Sequence, residues 1–244
     1  MQLVDRVFRT IEELSGETSG LSIIELSERL DLPVSTIHRI LQSLKDNNYV
    51  IQNPKTKRYE LSYKIYNICS RMERNNSLIT IARPYMERLS IAINKTITLC
   101  VLYGDYILNL DCIENNDATV CSVKKGTQYP LYVTSAGRVF LANMPQDKMK
   151  SILDESEIKK TTMYTKIEID ALTDEIADVK RKGYSIIDEE FQLGIQGASC
   201  PIIDSVGNAV AAIGFTTIKR KNCITKDTII KLKETAEEIS KALL

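Results

Sequence analysis

The chain has few of the residues that build metal sites and catalytic centres. It contains one histidine, His38, and its six cysteines form no CxxC pair. Because zinc sites need clustered thiolates and imidazoles, a zinc site is poorly supported, and reduced thiols are the expected state of the cysteines. The second half of the chain has no histidine that could act as a base, and neither a Walker nor a Rossmann glycine motif is present. The sequence therefore predicts no metal, no cofactor and no catalytic residues.

Long apolar runs and an excess of one charge are also missing. No stretch approaches the roughly 20 apolar residues needed to cross a bilayer, and Asp5 and Arg6 in the first turn do not fit a signal peptide. The formal net charge is zero, which argues against a general polyanion binder but leaves room for a local basic surface. With 43% hydrophobic and 26% charged residues, the chain is expected to fold in the cytoplasm as one large or two modest domains.

Residues 21–59 have the pattern of a winged helix-turn-helix, a fold that binds duplex DNA. Ser22 and Glu25 have the spacing of a capping box at the start of one helix. Pro33 disfavours helical geometry in the residue before it and can itself begin a helix. A second helix is therefore predicted over 34–46, with its apolar positions turned inward.

The outward face of this second helix and the wing after it are the candidate DNA-binding surface. Hydroxyl, imidazole, guanidinium and amide groups can hydrogen-bond to base edges and phosphates, although a polar outer face is normal for any amphipathic helix. The wing, 49–52 and 58–61 around a basic turn, favours DNA binding. Residues 1–34 carry three basic and seven acidic side chains, whereas 35–58 carry five basic and one acidic. The predicted DNA-binding residues are Ser35, Thr36, His38, Arg39, Gln42, Ser43, Lys55, Lys57 and Arg58.

The pattern predicts three segments: a winged helix-turn-helix over 1–62, a connecting helix over 63–79 and a second domain over 80–244. In the last of these, β-rich runs alternate with helical runs, and Gly104-Asp105 is a hairpin signal. The sum is an α+β fold, an antiparallel sheet flanked by helices. The predicted strands are 96–103, 106–112, 119–123, 184–188, 198–203 and 209–216, and the predicted helices are 81–93 with Pro84 near its start, one capped by Thr134 or Ser135, 146–154, 169–182 and 226–243.

The segment 132–138, Tyr-Val-Thr-Ser-Ala-Gly-Arg, is the best candidate for binding a small molecule. Free N–H groups at a helix start attract an anion, and the helix dipole adds to that attraction. Ser135 could donate a hydroxyl, while Ala136 and Gly137 let a ligand approach the backbone. An ordinary helix cap with Gly137 packed against the sheet explains the same residues.

Later strands could complete such a site. Asp188, Glu189 and Glu190 follow a predicted strand, so one of these acids could accept a hydrogen bond from a ligand hydroxyl. A solvated acidic turn accounts for them equally well. Gly214 and Thr216 could face the same cavity from the last strand.

Three motifs, in order along the chain, resemble the IclR family of bacterial transcription regulators. The first is GLSIIELSERLDLPVSTIHRILQSLKDNNYV, followed by the wing and RYELSYKIYNI. The second is PLYVTSAGRVFLANM, similar to the family signature Pro-Leu-His-x-Thr-Ala-x-Gly-Lys-x-Leu-Leu-Ala. The third is KGYSIIDEEFQLGIQGASCPIIDSVGNAVAAIGFTT. Tyr132 replaces the usual histidine, Arg138 the usual lysine and Gly214 a frequent serine.

This resemblance implies a winged N-terminal domain, a GAF/PAS-like effector domain, and dimers or dimers of dimers on palindromic operators. It also implies small organic, sugar or aromatic acids as effectors. The effector-binding residues that it suggests are Ser135, Ala136, Gly137, Asp188, Gly214 and Thr216. The leading hypothesis is a DNA-binding regulator, a repressor, gated by a small carboxylate.

Two alternatives remain at this point. The chain could be a thiol-based redox sensor or a GAF-like enzyme that uses a cysteine of its second domain. The candidate thiols are Cys100, Cys112, Cys121 and Cys200. The chain could also be a DNA-binding scaffold that takes no ligand.

Overall fold

The computed structural model of this chain describes residues 3–75, 77–114 and 124–243. The chain divides into two compact units, Met1–Asn76 and Ser77–Leu244. The helix expected to connect two domains belongs to the first unit, and the division falls three residues before the predicted start of the second domain. The strand predicted over 119–123, and Cys121 within it, lie outside the described residues.

The first unit is a three-helix core with a two-stranded wing and a further helix. Its elements are α1 (Leu3–Ser15), α2 (Ile23–Leu30), α3 (Val34–Asp46), β1 (Val50–Gln52), β2 (Tyr59–Leu61) and α4 (Tyr63–Asn75). The capping box at α2 is confirmed, since the Glu25 amide donates to Ser22 Oγ and the Ser22 amide donates to Glu25 Oε2. Asp31, with φ of +51°, ends α2 in a left-handed cap and starts the turn towards α3.

The bounds of α3 coincide with the predicted second helix. Its apolar positions are buried in the core of this unit: Ile37, Ile40, Leu41 and Leu44. Pro33 precedes the helix as its N-cap and leaves the polar face of the first turn uncovered. No described side chain of α4 is buried within the chain.

The second unit is built on a six-stranded antiparallel sheet with the strand order β5-β4-β3-β8-β7-β6. This confirms the α+β class. Its strands are β3 (Thr96–Tyr103), β4 (Tyr106–Ile113), β5 (Gln128–Pro130), β6 (Ser185–Asp188), β7 (Ile195–Ile203) and β8 (Ala209–Ile218). Its helices are α5 (Ser77–Ile93), α6 (Ser135–Asn143), α7 (Gln146–Glu155), α8 (Ile169–Lys182) and α9 (Lys226–Ala242).

The two faces of this sheet differ in chemistry because side chains alternate along each strand. One face carries large apolar residues of β3, β7 and β8 and packs against α5 and α9. The other carries threonine, serine, glycine and small apolar residues beneath α6. The edges of the sheet come together where Phe191, just after β6, contacts Tyr129 of β5 edge-to-face at 5.3 Å between ring centroids. The sheet is therefore curved into a half-barrel.

One predicted helix start was wrong. Helix α5 begins at Ser77, so Pro84 lies inside the helix rather than near its start. Proline removes a helical hydrogen bond, but Ile79 and Ala82 in the turns before it are buried in the core of this unit. Tertiary burial therefore extends the helix past the position that local preference favours as its start.

Candidate nucleic-acid interface and ligand cavity

The outer face of α3 is exposed along its whole length. Five of its six predicted DNA-contacting residues are exposed, and Thr36 is half-buried. The amide of Gln42 donates to Asp46 Oδ1 at 2.7 Å, which fixes its orientation on the helix surface. His38 and Arg39 lie on adjacent positions of the second turn, so an imidazole and a guanidinium project from one short stretch of helix.

The wing turn is held by its first asparagine. Asn53 Oδ1 accepts hydrogen bonds from the amides of Lys55 and Thr56, at 3.0 and 3.2 Å. Lys57 has a φ of +61°, and its carbonyl accepts a bond from Gln52 Nε2. This closed turn leaves both lysine side chains exposed at the tip. Two exposed cations on a hydrogen-bonded turn suit contact with phosphates.

Arg58, the third basic residue predicted to bind DNA from the wing, makes two contacts within the unit. Its Nε donates to the carbonyl of Gly20 at 3.0 Å, and its Nη2 pairs with Glu25 Oε1 at 2.7 Å. Because Glu25 also belongs to the capping box, Arg58 joins the wing to the start of α2. The structure thus gives this arginine a role inside the unit and leaves Lys55 and Lys57 as the exposed wing cations.

A cavity of about 90 Å³ lies in the second unit where α6 begins above the curved sheet. Three predicted effector-binding residues line it: Ser135, Ala136 and Thr216. The remaining lining residues, which were not among the predicted effector-binding residues, are Thr98, Cys100, Ile107, Asn109, Tyr129, Thr134, Ile187, Phe191, Gln192, Ile195, Gly197, Ser199 and Phe215.

A row of small and hydroxyl-bearing residues crosses the sheet below the start of α6. Strand pairing aligns Thr98 of β3, Gly214 of β8, Ser199 of β7 and Ser185 of β6. Ser199 Oγ lies 2.8 Å from Ser135 Oγ, and this bond is buried. Ser185 is 2% exposed, and its hydroxyl has no hydrogen-bond partner among the described residues. Alternation of threonine with large apolar residues along β3 was the signal in the sequence that could have located this face.

The first turn of α6 lies at the cavity. Thr134 is the N-cap, as predicted, and its Oγ1 accepts the Gly137 amide at 3.1 Å. The amides of Ser135 and Ala136 belong to the first turn, where no helical partner exists. Since both residues line the cavity, these donors and the positive end of the helix dipole lie beside it.

Three predicted effector-binding residues do not line the cavity. Gly137 packs on the preceding chain, since a Cβ there would lie 2.1 Å from the carbonyl oxygen of Leu131. The Ser199 side chain fills the space beside Gly214, since a Cβ on Gly214 would lie 2.3 Å from Ser199 Oγ. Asp188 is exposed, and its carboxylate pairs with Lys219 at 2.9 Å. Sheet alternation turns Asp188 away from the face on which Ile187 lines the cavity.

A buried ionic network stands behind the cavity. Arg138 is fully buried and binds Glu190 with two hydrogen bonds, at 2.9 and 2.5 Å. Its Nε donates to the Tyr132 carbonyl, and Glu175 and Lys166 continue the network. Glu190 is therefore not part of a solvated acidic turn, as one interpretation of the sequence had it. It fixes the beginning of the loop that carries Phe191 and Gln192 into the cavity wall.

The cysteines give little support to thiol chemistry. Burial raises the pKa of both the Cys100 and the Cys200 thiol to about 12, so neither forms a thiolate near neutral pH. Cys112 is half-buried. No cluster of three or more histidine, cysteine, aspartate or glutamate side chains suited to a metal ion occurs in the described part of the chain.

Comparison with known proteins identifies the family. Residues 3–54 match the IclR helix-turn-helix domain, and residues 71–241 match the C-terminal domain of bacterial IclR transcriptional regulators. The transcriptional regulator KdgR of Escherichia coli is 31% identical over 237 residues, which cover 96% of this chain and 90% of KdgR. The chain belongs to the IclR family. As a family member it is a DNA-binding transcriptional regulator with an effector-binding C-terminal domain, and its relatives are regulators rather than enzymes.

Two further similarities are informative. The transcriptional repressor AllR of Escherichia coli is 24% identical over 246 residues, covering 99% of this family member and 90% of AllR. The crystal structure of an IclR homologue from Microbacterium hydrocarbonoxydans, complexed with 4-hydroxybenzoate, superposes with a TM-score of 0.86 at 21% identity, covering 99% of each chain. Over the ranges that the structure describes, no helix has both the length and the apolarity to span a membrane.

Proposed function

We propose that this protein is a cytoplasmic repressor that leaves its operator, or binds it more weakly, when a small carboxylate occupies the cavity under α6. The observation that carries the proposal is the cavity itself, where the start of α6 and the Ser135–Ser199 pair supply hydrogen-bond donors suited to an anion. AllR is named as a repressor, which supports a repressor role. The IclR homologue complexed with 4-hydroxybenzoate supports a small carboxylate as the ligand.

The cavity volume limits the ligand. A buried water needs about 10–15 Å³ of such space, so 90 Å³ corresponds to a ligand on the order of six to nine non-hydrogen atoms. We therefore expect a short aliphatic acid or a benzoate-sized acid as the effector. Ser135, Ala136 and Thr216 remain its proposed contacts from the sequence, and Ser199 and Thr98 join them.

The regulator is proposed to act as a homodimer or a dimer of dimers on a palindromic operator. Apolar side chains are uncovered on two helices of the first unit. On α1 these are Leu3, Val4 and Phe8, and on α4 they are Tyr63, Tyr66, Ile68 and Met72. Apolar groups exposed in this number on two helices of one unit are typical of an interface. A dimer would present two copies of α3 to two half-sites.

DNA binding is tested with an operator selected by the protein from random duplexes. Arg39→Ala should weaken binding and relax sequence preference, because a base contact is worth about 1–3 kcal/mol of discrimination. Replacing Lys55 and Lys57 by alanine should weaken binding to all sequences alike and reduce the slope of log affinity against log salt by about 2 for each protomer bound.

The matched control is Lys182→Ala, an exposed lysine of α8 in the second unit. It should leave both affinity and salt slope unchanged. If neither Arg39→Ala nor the paired lysine substitution weakens operator binding, α3 and the wing are not the DNA-binding surface.

A further inference from the structure

The cavity wall offers no charge of either sign. Every lining residue is apolar or carries a hydroxyl, amide or thiol group, and the described lining includes no lysine, arginine, histidine, aspartate or glutamate. Cys100 and Tyr129 are the two that can ionise. Burial raises the pKa of both groups, that of Cys100 to about 12, so both are neutral near pH 7. A bound anion therefore interacts with the dipoles of neutral groups and not with positively charged side chains.

The available donors suit one carboxylate. The N-terminal end of a helix is equivalent to roughly half a positive charge. Ser135 and Ala136, which line the cavity, belong to the first turn of α6, where backbone amides have no partner within the helix. The buried Ser135–Ser199 pair has two hydroxyl protons and uses one between its own oxygens. The second proton is free for a ligand oxygen.

The positively charged side chains near the cavity are paired with carboxylates or are bound on the opposite face of the sheet. Arg138, three residues into α6, is bound by Glu190 and Glu175. Lys219 pairs with Asp188, the last residue of β6, and with Glu189, which follows it. Lys95 Nζ donates to Thr217 Oγ1, and strand alternation places Thr217 on the sheet face opposite to the cavity-lining Thr216.

We infer that the cavity selects compact carboxylates with a single negative charge and excludes ligands with two. This inference rests on the proposed effector function and specifies its ligand class. One carboxylate is held by the α6 amides and the serine pair. A second charge would meet apolar wall residues and the neutral amides of Asn109 and Gln192, but no cation. Burial of a charge without a counter-charge is strongly unfavourable.

A charge series of one shape tests this. Succinamide, succinamate and succinate share a carbon skeleton and the same number of non-hydrogen atoms, and they carry zero, one and two negative charges at about pH 7.5. Their affinities for the full-length protein are measured by isothermal titration calorimetry, with benzoate and benzamide as an aromatic pair. Succinamate should bind at least about tenfold more tightly than succinate and than succinamide, and benzoate about tenfold more tightly than benzamide.

A positive charge added to the cavity wall should reverse the preference for singly charged over doubly charged ligands. Gln192 lines the cavity and is exposed at one end, so Gln192→Lys should raise the ratio of succinate to succinamate affinity about tenfold. Leu193→Lys adds the same charge one residue along, outside the lining, and should leave that ratio within about twofold.

Three results would overturn the inference. Succinate binding as tightly as succinamate contradicts single-charge selection while leaving an effector site in place. Equal ratios in the two lysine variants contradict the position of the second charge. If neither succinamate nor benzoate binds at millimolar concentration, the ligand class is wrong. The proposed function is then tested separately, by measuring whether another small molecule changes the affinity for the operator.

Discussion

Gly137 lies where the chain entering α6 touches the helix, and this contact requires a residue without a side chain. A Cβ at this position would lie 2.1 Å from the Leu131 carbonyl oxygen and 2.5 Å from Leu131 Cα. Both neighbours are backbone atoms, so they cannot turn aside as a side chain would. The glycine therefore sets how closely the donors of Ser135 and Ala136 approach the sheet.

Gly137→Ala should destabilise the protein by about 1–3 kcal/mol, the usual cost of forcing extra atoms into a packed site. Urea unfolding of the full chain measures this loss. Gly16→Ala is the matched control, because a Cβ there meets only the Glu13 carbonyl at 3.8 Å, and its effect should stay within about 0.5 kcal/mol. An equal, small effect of both substitutions would contradict the close contact at Leu131.

At the residue scale, the buried ion pair of Arg138 and Glu190 is the second contact that we expect to govern stability. Arg138→Met leaves Glu190 buried without its partner and should cost about 3–5 kcal/mol, whereas the double variant Arg138→Met/Glu190→Met should lose less than the single one. Lys166→Met removes an exposed lysine that pairs with Glu175 and lies 3.8 Å from Glu190; because Arg138 stays bound to Glu190, it should cost at most about 1 kcal/mol. Urea unfolding compares these three variants and the single variant Glu190→Met. A double variant as unstable as the sum of both single changes would show that the two charges do not act as a pair.

Sequence reasoning at the residue scale succeeded where the cause was local. The capping box of Ser22 and Glu25 and the cap at Thr134 depend on neighbours three residues away, and the structure contains both. It missed the partners that are distant in sequence. Nothing local reveals that Arg58 pairs with Glu25, or that Asp188 pairs with Lys219.

At the scale of elements, the Glu25 carboxylate joins helix α2 to the wing. Glu25 accepts from the Ser22 amide, which satisfies the start of α2, and pairs with Arg58, which holds β2 and the wing turn. The hydrogen bond from the Ser22 backbone, followed by those from the Ser22 side chain and Arg58, lowers the pKa of Glu25 to about 2. One carboxylate thus orients both the helix before α3 and the strand that supports the two exposed lysines.

Because the pKa of Glu25 is lower in the folded chain than in the unfolded chain, its ionised form stabilises the fold above about pH 4.5, and this contribution is lost as the pH falls towards 2. Glu25→Gln should therefore unfold at a lower urea concentration than the wild type at neutral pH. The gap between the two midpoints should stay constant down to about pH 4.5 and shrink below it. Glu28→Gln, an exposed glutamate on the same helix, is the control. A gap that does not change with pH would exclude this role for the carboxylate.

The elements themselves were largely predictable. The bounds of α3 and α8 and the hairpin of β3 and β4 follow from apolar periodicity and turn residues, because those signals lie within the element. The start of α5 and the early start of β7 at Ile195 do not, since both depend on burial against distant strands. The pairing of β3 with β8, which aligns Thr98 with Gly214, is of the same kind. The hydroxyl row beneath α6 exists only once that pairing is known.

At the scale of the whole molecule, the chain joins a DNA-binding unit to a ligand-binding unit of the same family type. A ligand can change DNA affinity only if it binds differently to the DNA-bound and free forms, and the coupling must be reciprocal. The cavity and the α3 surface belong to separate units. Regulation is therefore a property of the assembled protein, and neither unit alone can display it.

The most direct test of this account is an operator titration of the full-length protein with and without a saturating monocarboxylate that binds it, carried out in parallel on Ser199→Ala/Thr98→Val. This double variant removes two cavity hydroxyls and keeps the size of the side chains close to the original. The account predicts that the ligand changes operator affinity at least about tenfold in the wild type and less than about threefold in the variant, while both proteins bind the operator equally well without ligand. A ligand that binds the wild type without altering operator affinity, or that alters it equally in both proteins, would contradict it.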